Sequence, residues 1–74
     1  EFSVKIEVKN KGFLDALKKH FEAEVEKNKV TLKLYLDDPL AVSDHESLLD
    51  SMKMLTRQLA EAEEALATLE IHFE

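Results

Sequence analysis

The sequence predicts a two-layer α+β sandwich of order βαββαβ, with a four-stranded antiparallel sheet and two helices on one face. Three observations lead there. Four segments alternate apolar and polar residues, each with its apolar set on one side: Phe2-Val4-Ile6-Val8, Phe21-Ala23-Val25, Val30-Leu32-Leu34-Leu36 and Leu69-Ile71-Phe73. Strand side chains point alternately to opposite faces, so such segments describe a sheet with one apolar and one wet face. Between them lie two stretches of helical spacing, around Phe13-Leu14-Leu17 and from Leu48 to Leu66. The alternation is one-sided, as in an antiparallel sheet, where parallel strands covered on both faces would read as continuous apolar runs.

Taken in order, residues 2–8 read as the first strand. Asn10-Lys11-Gly12 is a turn, with Asn10 placed to cap a helix. Phe13, Leu14 and Leu17 then take helical spacing, and Lys18, Lys19 and His20 suit the negative end of a helix dipole. Residues 20–27 admit two readings. As helix, Phe13, Leu14, Leu17, Phe21 and Val25 form one stripe. As strand, Phe21, Ala23 and Val25 alternate with Glu22, Glu24 and Glu26. A hairpin folded about Lys27-Asn28 sets Val25 against Val30, Ala23 against Leu32 and Phe21 against Leu34, with Glu26 and Glu22 meeting Lys29 and Lys33. Three glutamates at the end of a helix would also oppose its dipole. Strand is the favoured reading, although Lys-Asn is not a preferred hairpin turn.

Asp37-Asp38-Pro39 ends the next strand, since proline cannot continue a ladder. Leu40 and Val42 make the following loop partly apolar. Ser43-Asp44-His45-Glu46 matches a capping box, serine at the N-cap and glutamate three residues on. The second helix carries Leu48, Met52, Leu55, Leu59, Ala62 and Leu66 at steps of four and three. That rhythm continues through Leu69 and Phe73, so the helix could run on. The β-branched and aromatic residues of Thr68–Glu74 favour a fourth strand instead. In element order alone this arrangement resembles the ferredoxin-like plait. The alternative is βαβαβ, with a longer first helix and three strands.

At 74 residues, 45% of them hydrophobic, residues 1–74 form a single α/β domain with material for one core. There is no cysteine, hence no disulfide and no thiolate metal site. One glycine, one proline and 35% charged residues give the chain the composition of an idealised fold, as in a designed protein. It opens on Glu1 rather than Met, as a processed, excised or artificially made chain would, with no signal peptide and no run long enough to span a membrane. The net charge of −6 argues against nucleic acid. It is unevenly spread, with eight lysines against six acids in residues 1–36, and ten acids against one lysine and one arginine in residues 37–74. The acidic half reads as a solvated helix face or a docking surface for a basic partner.

Chemistry-bearing residues do not converge. His20, His45 and His72 fall on three different elements. His72 would share a wet strand face with Glu70 and Glu74, an imidazole–carboxylate trio whose ordinary role is solvated decoration rather than metal ligation. Of Ser3, Ser43, Ser47 and Ser51, Ser43 is explained as a cap, and Ser47 and Ser51 lie near the start of the same helix, where solvent-facing serines are ordinary. Gly12 stands alone, so no phosphate cradle or oxyanion loop is present. Tyr35, beside Lys33, is the one aromatic expected on the wet sheet face, too little for stacking RNA bases. Met54 lies on the back of the second helix, and the edge strand Phe21–Glu26 carries glutamates that guard against strand addition. No catalytic, cofactor-binding or metal residues are assigned. The expectation is a small structural or scaffold domain without enzymatic activity, its alternative a small acidic protein–protein interaction module. A protein partner or a homodimer through the second helix would serve that alternative, with neither nucleic acid nor membrane involved. The composition is compatible with cytoplasm but assigns no compartment.

Overall fold

The computed structural model describes residues 4–38 and 47–74, and there the chain is a pair of long antiparallel helices. Helix α1 spans Lys11–Asp37 and helix α2 spans Leu48–His72. The described residues contain no sheet, only an isolated parallel bridge between Ile6 and Phe73. The α+β sandwich of ferredoxin-like order is therefore wrong, as is its three-stranded alternative. Phe2, Ser3, Pro39, Leu40, Val42 and the capping box Ser43–Glu46, with His45, lie outside the described residues.

The hairpin about Lys27-Asn28 fails because Glu22, Glu24 and Glu26 continue the same spiral as Phe13. The dipole argument against them loses its force once α1 runs to Asp37, since a dipole acts on the last turn and these residues lie far from it. Two of the three instead meet lysines one turn on. Glu24 pairs with Lys27 and Glu26 with Lys29, each at 3.5 Å, and Asp15 pairs with Lys19 at 3.3 Å. Acid before base along a helix is the favourable order, worth about 0.3 kcal/mol per pair. Lys33, expected opposite Glu22, pairs with Asp37.

Asn10 caps α1 as expected, its Oδ1 accepting from the Phe13 N–H at 3.0 Å. Asn10→Ala is expected to lower stability by about 1 kcal/mol in thermal unfolding. An unchanged midpoint would mean that the first turn does not depend on this bond.

The helices meet along two seams of heptad spacing. On α1 the seam is Leu14, Lys18, Phe21, Val25, Asn28, Leu32 and Tyr35; on α2 it is Leu48, Met52, Leu55, Leu59, Ala62, Leu66 and Leu69. Apolar residues stepping by four and three keep one stripe facing a partner helix. Leu14, Leu55 and Ala62 are buried, as is Asn28 at 2% exposure, and the rest of both seams is half-buried. Asn28 Nδ2 donates to the Glu24 carbonyl at 2.8 Å, so its burial is partly compensated within its own helix.

Only the end of the proposed fourth strand is extended. The helix rhythm that began at Leu48 continues through His72, and the Phe73 N–H still donates to the Leu69 carbonyl. The chain then pairs with the N-terminal segment. The Ile6 N–H donates to the His72 carbonyl at 2.7 Å, the Glu74 N–H to Ile6 at 3.2 Å, and the Val8 N–H to Glu74 at 3.3 Å. This pairing is parallel, where an antiparallel sheet was expected, and it ties the open end of the helix pair together. The molecule measures 48 × 27 × 16 Å.

Candidate interaction surface

Helix α1 carries more apolar residues than α2 can cover. Phe13, Ala16, His20, Ala23, Lys27, Val30 and Leu34 step by three and four, a second heptad seam on the same helix. At 100° per residue it lies roughly 140° around from the inner seam. Its members are exposed: Phe13 by 72%, Val30 by 63% and Leu34 by 51%. The segment Val30–Leu36 explains why. As a strand it would send four apolar side chains to one face; as a helix it scatters them. Val30 and Leu34 join the outer seam, Leu32 faces α2, and Leu36, one turn beyond Leu32 on the same side, is 62% exposed at the end of the helix.

Helix α2 has a weaker row of its own: Leu49, Ala60, Ala67 and Ile71 are exposed and fall within about 40° of one another, interrupted by Lys53, Thr56 and Glu64. Met54 does sit on the back of the helix, away from the inner seam. The helices differ in charge as well. Lys11–Asp37 holds six lysines and five carboxylates, whereas Leu48–His72 holds two basic side chains and five carboxylates. The ion pairs of the described residues all lie within single helices, so charge does not clamp the hairpin together.

At the open end lies a shallow cleft of about 390 Å³, lined by Val8, Asn10, Phe13, Leu14, Leu17, Leu69 and Phe73. Its apolar walls and open mouth offer no convergent polar groups to orient a small molecule. It runs into the outer seam through Phe13.

The residues considered for chemistry are dispersed. Glu70 and His72, two positions apart on a helix, point about 200° from each other, so the trio with Glu74 does not converge. Among the described residues no group of three His, Asp or Glu side chains is arranged to hold a metal. Tyr35 is half-buried in the inner seam rather than displayed on a wet sheet face. Ser47 begins α2 without a side-chain capping bond, and its carbonyl accepts from Ser51 N–H at 2.9 Å. No helix of the described residues is long and apolar enough to cross a membrane. Of the outer seam of α1, Ala23, Val30 and Leu34 also belong to alternating sets, and for them alternation took precedence over the spacing of three and four. No family model, curated protein or solved structure matches this chain.

Proposed function

We propose that the chain is a structural module that works by protein–protein association and performs no catalysis. The observation that carries this reading is the uncovered outer seam of α1. Isolated exposed apolar residues are ordinary, but a row at coiled-coil spacing adds nothing to a solvated helix. Such a row is what a partner helix packs against. An inert scaffold, the other function considered, gives no reason for Phe13 and Val30 to be apolar.

The double substitution Phe13→Gln/Val30→Gln tests this reading. Measured by chemical denaturation at high dilution, it is expected to change the unfolding free energy of the hairpin by less than about 0.5 kcal/mol, as for exposed sites generally. A loss of about 2 kcal/mol or more would show that these side chains hold the fold itself, and the reading would fall.

A further inference from the structure

We infer that the outer seam of α1 is covered by the same seam of a second copy, in an antiparallel, two-fold symmetric contact. The inference rests on the association reading and names its partner. Three observations support it.

The first is surface area. The chain exposes 5686 Å². A compact protein of its mass would expose about 4,700 Å². The excess, about 1,000 Å², belongs to the elongated surface as a whole and leaves room for an interface that buries roughly 800 Å² on each partner. The radius of gyration of 16.2 Å, against about 11 Å for a compact chain of this length, shows where the excess comes from: the hairpin is a slab two helices wide.

The second is side-chain size. Antiparallel helices at heptad spacing pair the two kinds of seam position with each other. One such register sets Phe13 against the second copy's Val30, Ala16 against its Lys27, and His20 against its Ala23. The long side chains of Lys27 and His20 then each meet an alanine, and Phe13 meets Val30, while Leu34 lies past the overlap, opposite position 9.

The third is charge. In this register Lys19 flanks the seam opposite Glu26 of the second copy, twice by symmetry. Sliding one copy by a heptad sets Lys19 against Lys33 and Glu26 against Glu26, or Lys19 against Lys19, and like charges in contact suppress those arrangements. Pairing through α2 would bring two acidic helices together, whereas α1 is nearly balanced.

The chain has no cysteine, so introduced thiols report geometry without interference. Two single variants, Ala16→Cys and Lys27→Cys, are oxidised separately and mixed, and the products are separated by mass. The mixture is expected to give the mixed disulfide, because residues 16 and 27 share a layer. Either variant alone is expected to give little, because identical positions lie about 16 Å apart along the axis, too far for a bridge. Sedimentation of the unmodified chain is expected to show a concentration-dependent species of twice 8.5 kDa. Lys19→Glu is expected to weaken it about tenfold, and Lys19→Glu/Glu26→Lys to restore it. Cross-linking of Ala16→Cys with itself would indicate a parallel contact and overturn the inference. So would a chain that stays monomeric at every concentration. If Phe13→Gln/Val30→Gln leaves the hairpin stable in that case, the association reading stands and the seam takes a helix of a different protein.

Discussion

Leu55→Ala is expected to remove about 3 kcal/mol of stability, within the range for deleting a buried leucine. Leu55 is 8% exposed and lies in the first third of α2, two turns from its start. Truncation there forfeits the transfer energy of the lost methyl and methylene groups and leaves a void that two long helices cannot readily close. The effect is large in relative terms. A chain of this size has about 4–11 kcal/mol in total, and this one has only Leu14, Leu55 and Ala62 as buried apolar residues among those described. The variant should therefore unfold at a much lower denaturant concentration. Leu49→Ala, on the same helix but 64% exposed, should move the midpoint by less than about 0.5 kcal/mol. Equal losses at both positions would contradict the assignment of the inner seam.

What the sequence reveals about this fold depends on which period dominates each segment. Helix α2 was legible because Leu48, Met52, Leu55, Leu59, Ala62 and Leu66 fit steps of four and three and no other pattern. The start of α1 was legible because Asn10 is chemically suited to cap and does so. Residues 21–36 misled because their apolar residues satisfy both periods. Phe21 and Val25 are four apart, as a helix face requires, and are also members of an alternating set with Ala23. Val30, Leu32, Leu34 and Leu36 alternate cleanly, and Val30, Thr31 and Tyr35 favour strand. Continuity with the helix before them overrides that preference, helped by ion pairs one turn apart that a strand could not make. Thr31 also turns its hydroxyl back to the Lys27 carbonyl at 2.8 Å, a local bond available only in a helix. Ala23, Val30 and Leu34, which helped to make a one-sided sheet persuasive, are also members of the uncovered outer seam of α1.

Asn28 is the position where opposite substitutions should have opposite effects. It occupies an inner-seam position, is 2% exposed, and donates to the Glu24 carbonyl at 2.8 Å. A buried polar residue in such a seam costs stability and fixes register. Asn28→Leu is expected to stabilise the hairpin by about 1 kcal/mol by replacing a partly compensated amide with apolar contact. Asn28→Asp keeps the shape and is expected to cost about 3 kcal/mol at neutral pH, because an unpaired carboxylate would be enclosed beside a carbonyl oxygen that can offer it no proton. Burial favours the neutral acid, so the folded-state pKa of the new carboxyl lies above its unfolded value of about 3.9. Below the unfolded pKa both states are protonated and the charge penalty is absent. As pH rises, the unfolded chain ionises first, and stability falls until the folded-state pKa is passed. Denaturation of the two variants and the parent across this pH range checks the argument. If Asn28→Asp matches the parent at neutral pH, position 28 is open to water and the inner seam of α1 is not the one that faces α2.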